Sequence, residues 1–376
     1  MNFQLSDEQR LIQRTAREFA EKEICPQAAA NDAEARWPAE ILRKALEVGL
    51  TNITVPEKYG GQGLGALELV LVTEQLTWGC VGTWIPAGIN ASFTDIILQG
   101  TEEQKRVYLG KMAAGEFGAY AVTEPGAGSD VSAIETRAVR RGDEYILNGG
   151  KTWISNAPHA TFLLVVAKTD PGAGSRGLSL FLVERDRPGL DVGKPIPKLG
   201  QRAAHAADVF FNDVVVLKSA ILGKEGDGFG LIMKGFDKSR PMVAANGLGL
   251  MQRCLDLSVA YARERRTFGK PIIEHQAIAH KLAEMQIRLE AARLMVYQAA
   301  WLADTGQRNT LEASCAKAFA CDSAMLAATE AMQIYGGYGY STEFPVEKLF
   351  RDAKVLQIYE GTSEIQRNII VRELTK

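Results

Sequence analysis

The chain has 376 residues, 46% of them hydrophobic, with 43 basic and 45 acidic side chains. This length allows two or three packed units with a sizeable apolar core. A net charge of −2 argues against a nucleic-acid-binding surface or a polybasic membrane segment. The five cysteines form no CxxC pair, and with only four histidines no metal site is expected.

The first residues, "MNFQLSDEQR", have neither the basic and apolar regions of a signal peptide nor the Arg-rich composition of a transit peptide. No apolar run approaches the roughly 18 residues of a membrane span. The cysteines are therefore expected to be buried, reduced thiols. We expect a bacterial cytoplasmic protein in the simplest case, or a mitochondrial matrix protein if the source is a eukaryote.

Residues 1–118 are predicted to be mostly helical. "SDEQ", Ser6 to Gln9, is a capping box, and the apolar residues that follow it recur on one helical face. Further helical patterns cover 67–76 and 101–112, with the loop "PEKYGGQGLG" before them. This region is therefore expected to form an all-α unit.

Residues 119–226 change to short apolar runs separated by turn signals, among them Asn148-Gly149 and Pro188-Gly189. The runs are "EYIL", "KTWIS", "TFLLVVA", "LSLFLV" and "DVFFNDVVV". Runs of this length, rich in Val, Phe, Ile and Tyr, predict an antiparallel sheet or small barrel rather than βαβ units.

Residues 227–376 return to long helices. Over 274–306 the apolar residues recur at alternating steps of four and three, as on a bundle helix. They are Ile278, Leu282, Met285, Leu289, Ala292 and Val296. A second helix is predicted over 310–335 and a short one at the end of the chain. None of the glycine clusters forms GxGxxG between a strand and a helix, so a Rossmann site is not expected.

Two segments of the β region have the composition of a ligand site. In "GAYAVTEPGAGSD", Gly126, Gly128 and Ser129 leave donors accessible for a phosphate or another oxygen-rich group. A Pro-Gly turn at a boundary explains the same residues equally well. In "KTWISNA", Trp153 stands among small polar residues and suits stacking on a flat heterocycle, although core packing accounts for most tryptophans of this kind.

Two segments of the C-terminal region combine charge with loops. In "FDKSRPMVAANG", Asp237 and Arg240 lie on a helical stretch interrupted by Pro241, and Arg suits a ligand amide or phosphate. The alternative is a surface ion pair. In "YARERRTFGKPIIEHQ", Arg265 beside Phe268 could serve a phosphate and a ring, whereas an ordinary helix end with solvated arginines is the simpler interpretation.

The segment "QIYEGTSEIQR" places Glu360 between Tyr359 and Gly361, just before the last predicted helix. Base rates favour a surface turn. A catalytic carboxylate needs a partly desolvated site that raises its pKa toward the working pH, and aromatic neighbours provide one. The glycines of "YGGYGY" upstream permit a ligand to approach the backbone closely.

Taken together, these segments resemble the acyl-CoA dehydrogenase family over essentially the whole chain, most closely its short- and medium-chain straight-chain members. "AYAVTEPGAGSD" is similar to the first family signature and "QIYGGYGYSTEFPVEKLFRDAKVLQIYEGTSEIQR" to the second. The resemblance implies an α+β fold with an N-terminal all-α domain (1–118), a middle antiparallel β-barrel or sandwich domain (119–226) and a C-terminal four-helix bundle (227–376).

The resemblance also implies a homotetramer that binds FAD and oxidises an acyl-CoA to its trans-2-enoyl-CoA. In that scheme Glu360 removes the α-proton while the β-hydrogen leaves as hydride to flavin N5. The electrons then pass to electron-transferring flavoprotein.

The implied binding positions are carried over residue by residue. The positions implied for FAD are Tyr120, Thr123, Ser129, Trp153, Ser155, Arg265, Thr267, Phe268, Gln276, Gln333, Gly337, Thr362 and Glu364. Those implied for the acyl-CoA are Ser129, Asp237, Arg240, Tyr359, Gly361 and Arg372. Arg265, Phe268, Gln276, Gln333 and Gly337 are expected to reach the FAD of a neighbouring subunit.

Three features bear on the chemistry. Isovaleryl and long-chain members carry their base where this chain has Ser239, which leaves Glu360 as the expected base. In "LGQRAAHAADVFF", Ala204 and Ala206 replace the usual Ser or Thr around His205, so one fine contact is in question. Between Gly82 and Gly100 there is no Lys or Arg, which favours a neutral acyl group of short, medium or cyclic shape.

Three alternatives remain on the same fold. They are an acyl-CoA oxidase, an enoyl-CoA reductase and a non-catalytic paralogue that binds FAD or CoA. Residue types alone leave open the acyl chain, the physiological direction and the reactivity with oxygen.

Overall fold

The computed structural model describes residues 4–376 and begins with a helical region. Its helices are α1 (Asp7–Phe19), α2 (Ala28–Ala33), α3 (Ala39–Glu47), α4 (Ala66–Ile97), α5 (Glu102–Gln104) and α6 (Gly110–Ala113). The predicted capping box at Ser6 and Gln9 is confirmed, because each side chain accepts from the other residue's backbone N–H. α4 is interrupted at Cys80, where the backbone is extended (φ −170°, ψ 118°).

The middle region is a single eight-stranded sheet. Its strands are β1 (Phe117–Ala121), β2 (Arg137–Arg141), β3 (Glu144–Ser155), β4 (Ala160–Lys168), β5 (Leu178–Glu184), β6 (Leu190–Val192), β7 (Ala206–Leu217) and β8 (Ile221–Leu222). They are ordered β6-β7-β3-β2-β4-β5-β8, and β1 pairs with β4. Most neighbouring strands are antiparallel, as the short runs predict.

Two details of this sheet correct the prediction. β1 pairs parallel to β4, with Tyr120 opposite Leu164. A parallel pair needs a long connection, and β2 and β3 lie between these strands in the chain, so local spacing could not reveal it. Asn148-Gly149 is a bulge inside the continuous strand β3 and not a turn, because Asn148 exchanges hydrogen bonds with Asp213 of β7.

The C-terminal region consists of long helices. They are α7 (Gly228–Glu264), α8 (Gln276–Asp304), α9 (Thr310–Tyr335), α10 (Val346–Lys354) and α11 (Ser363–Leu374), with a small hairpin, β9 (Arg266–Thr267) and β10 (Lys270–Pro271), before α8. The predicted seam of α8 faces the core, where Leu282 to Val296 are buried. The predicted order of helical, β-rich and helical regions is confirmed.

Pro241 does not interrupt its helix, contrary to the sequence-based expectation. Proline has no N–H, so it leaves the carbonyl of Asp237, four residues earlier, without its helical partner. Asn309 Nδ2 donates to that carbonyl at 3.0 Å. This hydrogen bond allows α7 to continue through the proline.

All five cysteines are free. Cys80, Cys254 and Cys321 are buried as expected, whereas Cys25 and Cys315 are partly exposed. None of the helices within residues 4–376 combines the length and the hydropathy that a membrane span requires.

Candidate active site

Glu360 lies in a short loop between α10 and α11 and has a left-handed backbone, with φ +55°. The next residue, Gly361, is also left-handed, with φ +89°. Two such residues in succession turn the chain sharply, and an L-residue at φ > 0 is strained. Thr362 then begins α11, because its Oγ1 accepts from the backbone N–H of Ile365 at 3.2 Å.

The Glu360 carboxylate faces α7. Ser239 Oγ donates to Glu360 Oε2 at 3.1 Å. Burial raises the pKa of Glu360 above its usual value, while the Ser239 hydrogen bond and the charges of Arg240 and Lys317 oppose that rise. A partly desolvated carboxylate with a raised pKa suits proton transfer, so the surface-turn interpretation is not supported.

The loop that carries Glu360 is anchored by side chains of α9 and α11. Lys317 Nζ donates to the Gly361 carbonyl at 2.7 Å, and Gln366 Nε2 donates to the carbonyls of Glu360 and Gly361 at 3.2 and 3.0 Å. Asp322 accepts from Gln357 at 2.8 Å and from Ser363 at 2.7 Å, and so binds both ends of the loop. Sequence reasoning missed these anchors, because single polar residues on a long helix look like solvated positions.

Two tyrosines lie near Glu360. The hydroxyl of Tyr359 accepts from Asn246 Nδ2 at 3.4 Å. The Tyr120 hydroxyl is buried and has no hydrogen-bond partner among the described residues. Burial, and secondarily the charge of Glu360, raise the pKa of Tyr120 well above its usual value. Buried hydroxyl groups normally have a hydrogen-bond partner, so the unpaired hydroxyl of Tyr120 is available to a bound ligand.

Two of the proposed CoA residues, Asp237 and Arg240, lie on α7 next to Ser239, which contacts Glu360. Arg240 Nη1 pairs with Asp237 Oδ1 at 3.1 Å, but Arg240 is only 3% exposed and its Nε has no partner among the described residues. The pair is therefore not the surface ion pair that was the alternative. Arg372 is exposed on α11, and its charge contributes to lowering the pKa of Arg240, mainly an effect of burial.

On the β side, Glu124 and Ala127 form a tight turn through two backbone hydrogen bonds. Beneath it, Lys151 Nζ donates to Glu124 Oε1 at 2.8 Å and to the Val122 carbonyl at 3.0 Å. Burial lowers the pKa of Lys151 to about 8 despite this partner. The ion pair joins the segment after β1 to strand β3, and the sequence motifs did not reveal it.

Trp153 is 56% exposed, so the core-packing interpretation is wrong. Its backbone is left-handed (φ +60°) and lies at an irregularity in the β3–β7 register between Lys151 and Ile154. The neighbouring Thr152 N–H donates to the Thr123 carbonyl at 2.9 Å, so the strand of Trp153 lies beside Thr123. Ser155 pairs with Ala206 at the end of β3, and Ser129 is exposed at the loop tip.

A second group of predicted residues lies at the far end of α7. Phe268 is 95% exposed at φ +48° on the tip of the β9–β10 hairpin, where Thr267 Oγ1 contacts His275 Nε2 at 3.1 Å. Arg265 lies 5.7 Å above the ring of Tyr338, which follows Gly337. Gln276 and Gln333 are exposed.

These two groups remain apart within one chain. Across residues 4–376, no described hydrogen bond or ring contact joins the hairpin group to Trp153, Tyr120 or Glu360. Thr362 and Glu364 lie at the start of α11, two and four residues after Glu360. The structure thus places Tyr120, Arg240, Tyr359 and Gly361 near Glu360, with Asp237 paired to Arg240, and leaves the hairpin residue Phe268 exposed.

His205, between Ala204 and Ala206, belongs to a histidine pair. Its Nδ1 lies 2.9 Å from His159 Nε2, and its Nε2 lies 2.7 Å from the Ala35 carbonyl. Trp37 stacks on His159 with ring centroids 3.9 Å apart. The pair therefore links the N-terminal helical region to the sheet, which the sequence did not suggest.

Three family models match consecutive parts of the chain. They describe the N-terminal domain (residues 6–116), the middle domain (119–214) and the C-terminal domain (226–375) of acyl-CoA dehydrogenase. The chain belongs to the acyl-CoA dehydrogenase family. It is accordingly an enzyme of a family of flavin-linked oxidoreductases, and the recognised resemblance is confirmed.

Relatives of known name cover the chain almost completely. The 3-(aryl)acrylate reductase of Clostridium sporogenes is 42% identical over 99% of both chains. The cyclohexane-1-carbonyl-CoA dehydrogenase of Geobacter metallireducens is 42% identical over 100% of this chain and 99% of the relative.

Solved structures agree. Butyryl-CoA dehydrogenase of Megasphaera elsdenii superposes with a TM-score of 0.97 at 38% identity, covering 100% of both chains. A chain of the structure described as "Electron transferring flavoprotein of Acidaminococcus fermentans" gives 0.98 at 41% identity, again over 100% of both chains. The FAD complex of PigA gives 0.95 at 31% identity over 100% of this chain and 99% of that chain. FAD, the expected cofactor, is confirmed as the cofactor of this fold family.

The residues present fit a flavin cofactor. Trp153 offers an exposed aromatic face, the Tyr120 hydroxyl is unpaired, and an added Cβ at Gly126 or Gly128 would meet no atom within 4 Å. Aromatic faces, open backbone and free donors suit a planar ring and a pyrophosphate.

Proposed function

We propose that this enzyme removes the α-proton of an acyl-CoA with Glu360 and forms the trans-2-enoyl-CoA. The observation that supports the proposal most is the Glu360 carboxylate itself. It is held on a strained, anchored loop, is bonded to Ser239 at 3.1 Å, and has a pKa raised mainly by burial. Such strain persists where the surrounding structure fixes a functional geometry.

Each residue around Glu360 has a separate role in the proposed reaction. Glu360 takes the α-proton, and the small Gly361 lets the thioester approach the loop backbone. Tyr359 on one side and Tyr120 on the other exclude water from the carboxylate. Bound FAD supplies the acceptor for the β-hydrogen as hydride. The α-proton is weakly acidic, and its removal becomes feasible when hydrogen-bond donors stabilise the negative charge that develops on the thioester oxygen. We assign this donor role to the backbone N–H of Glu360.

The binding roles follow the same proposal. Tyr120, Thr123, Trp153, Ser155 and Thr362 face the flavin ring, and Ser129 and Glu364 border it. Asp237, Arg240 and Arg372 bind the CoA portion, where the unpaired Arg240 Nε offers a charged donor. Arg265, Phe268, Gln276, Gln333 and Gly337 serve the FAD of a neighbouring subunit, and Thr267 also binds the cofactor.

We propose a homotetramer because the hairpin residues face outward and α8 exposes an apolar stripe. The exposed apolar residues are Ile287, Leu294, Met295 and Trp301 of α8, with Leu326 of α9. Contiguous exposed apolar surface of this kind marks an interface. Sedimentation of the wild type and of Leu294→Glu tests this; equal masses of a single chain for both would contradict it.

The acyl group is proposed to be neutral and of short, medium or cyclic shape. No Lys or Arg occurs between Gly82 and Gly100, so a free carboxylate on the tail would lack a counter-ion there. The named relatives that act on butyryl-CoA and cyclohexane-1-carbonyl-CoA agree with such groups. Saturable flavin reduction by glutaryl-CoA would contradict this assignment.

Electron-transferring flavoprotein is the proposed acceptor, in a cytoplasmic or mitochondrial-matrix setting. The similar chain in a structure of electron-transferring flavoprotein supports that partner. An oxidase would instead produce hydrogen peroxide in air at the rate of dehydrogenation.

A second candidate is reduction of an enoyl substrate by the same residues in reverse. The relative named 3-(aryl)acrylate reductase favours it. Glu360 would then deliver the proton to the α-carbon. A midpoint potential of the ligand-bound flavin well below that of the crotonyl-CoA/butyryl-CoA couple would favour reduction, and a potential at or above it would favour dehydrogenation.

The deciding experiment is anaerobic bleaching of the bound flavin by a panel of acyl-CoAs. Glu360→Gln should bind the same ligands, which a perturbed flavin spectrum would show. Its bound flavin should be reduced more than about 10³-fold more slowly, because the base is lost. Near-normal reduction by this variant would remove Glu360 from the base role. A colourless protein that takes up no FAD would indicate the non-catalytic paralogue.

A further inference from the structure

Lys317 is a buried lysine that none of the family motifs singled out. Burial lowers its pKa from the usual value, while the charges of Glu360 and Asp322 oppose that fall. Lys317 lies on α9, is 0% exposed, and donates to the Gly361 carbonyl at 2.7 Å. No carboxylate oxygen among residues 4–376 lies within 4.0 Å of its ammonium. Burying an ammonium group without an ion-pair partner costs solvation free energy, and one hydrogen bond to a carbonyl does not offset that cost. A purely structural role therefore explains the presence of Lys317 poorly.

The surroundings of Lys317 point toward Glu360. The titratable and charged groups that face it are Cys321 and Asp322 on its own helix, Glu360 on the loop and Arg240 on α7. Asp322 is already bonded to Gln357, Ser363 and Arg367. Cys321 is a buried thiol, and its pKa is raised to about 11, so it carries no charge at neutral pH. Glu360 is therefore the carboxylate left to balance the ammonium.

From these contacts we propose that Lys317 is a positioning residue that keeps Glu360 ionised and holds its left-handed loop for proton abstraction. The inference rests on the proposed role of Glu360 as the base. The hydrogen bond fixes the Gly361 peptide, and the charge favours the carboxylate form through space. Three other groups face the Glu360 carboxylate: Ser239 and Arg240 of α7 and Tyr120 of β1.

Gln366 provides a matched control within the same loop. It is also 0% exposed and donates to the Glu360 and Gly361 carbonyls, but it is neutral. Removal of Gln366 perturbs the loop geometry without changing the charge. The two residues therefore separate geometric support from electrostatic support.

The test measures flavin reduction by butyryl-CoA under anaerobic conditions between pH 5 and 9, for wild type, Lys317→Met, Lys317→Arg and Gln366→Met. Lys317→Met should reduce flavin about 10- to 100-fold more slowly near pH 7, and its acidic limb should move to higher pH. Lys317→Arg should keep the wild-type position of that limb. Gln366→Met should reduce its flavin more slowly, but the acidic limb of its pH profile should stay at the wild-type position.

Each outcome decides something. An unmoved acidic limb in Lys317→Met, with Glu360→Gln inactive, overturns the inference and leaves the proposed function intact. Full activity of Glu360→Gln overturns the proposed function itself. FAD content and the spectrum of the ligand-bound flavin are recorded for each variant, and Lys317→Gln replaces Lys317→Met if the latter does not retain FAD. An equal shift in Gln366→Met would also overturn the electrostatic role.

Discussion

Ser239 Oγ lies 3.1 Å from Oε2 of Glu360, although 121 positions separate the two residues. By the family resemblance, Ser239 stands at the position where isovaleryl and long-chain members are expected to carry their base. Here it acts as a donor to the carboxylate and opposes the rise in the pKa of Glu360 that burial causes. A position without a carboxylate of its own thus still influences the carboxylate of Glu360.

Ser239→Ala should make flavin reduction more sensitive to acid. Loss of the donor raises the pKa of Glu360 further, so less carboxylate is present as the pH falls. We expect a rate loss of about tenfold to a hundredfold on the acidic limb that disappears at high pH, since one hydrogen bond to a charged group contributes about 1.5–3 kcal/mol. Stopped-flow pH profiles check this, with Ser239→Thr as the control that keeps a hydroxyl. A uniform loss at every pH would contradict it.

Gly361→Ala should impair both stability and activity. Gly361 has φ +89°, and an added Cβ would approach Gln366 Nε2 to 2.6 Å. We expect a loss of about 1–3 kcal/mol in the free energy of unfolding and a displaced base. Gly110→Ala is the matched control, because Gly110 is helical with nothing within 4 Å and should gain stability. Urea unfolding and flavin reduction are measured for both; equal behaviour would refute the argument.

The Glu124–Lys151 ion pair should be strongly coupled. Lys151→Met leaves the Glu124 carboxylate buried without its cation, which costs about 3–5 kcal/mol. The double variant Glu124→Gln with Lys151→Met should recover much of that stability, because no unpaired charge remains. A double-mutant cycle by urea unfolding, together with FAD titration of the apoprotein, measures the coupling. Additive losses would show that the two side chains act independently.

The histidine pair should make stability depend on pH. The pKa of His159 is lowered from 6.5 to about 4, first by burial and then by His205. The unfolded chain therefore binds the proton more readily. The stabilisation is complete above about pH 6.5 and is lost as the pH falls toward 4.

His159→Gln should accordingly flatten the pH dependence of urea unfolding across this interval, whereas replacement of the exposed His280 should not. In the neutral pair, His205 Nε2–H donates to Ala35 and its Nδ1 accepts from His159 Nε2–H. Full protonation of both rings would set two donors face to face. An unchanged pH slope in His159→Gln would contradict this account.

Much of the fold was predictable because it depends on local periodicity and capping. The seam of α8, the capping box of α1 and the short strands each follow from neighbouring residues. The parallel pairing of β1 with β4 was not predictable, since it depends on the path of the chain between them. Pro241 misled for a related reason: Asn309, which replaces its missing hydrogen bond, is distant in sequence.

In the candidate site, too, some residues could be predicted from local sequence, whereas others depend on contacts between distant parts of the chain. Glu360 and Gly361 stand out in a motif, and so do Trp153 and Arg240. Their supports, Lys317, Gln366 and Asp322, are single polar residues on helices, and their partners appear only when the chain is folded. Sequence patterns therefore reveal the residues proposed to react or to bind ligand more readily than they reveal the residues that hold those groups in position.

Asn309 and Thr310 have a wider consequence. Asn309 donates to the Asp237 carbonyl at 3.0 Å, and Thr310 Oγ1 donates to the Asp237 carboxylate at 2.6 Å. The short connection between α8 and α9 therefore sets the position of the residue that pairs with Arg240. Given the proposed role of Arg240 in binding CoA, substitutions in this connection should weaken coenzyme binding although their side chains do not contact the ligand.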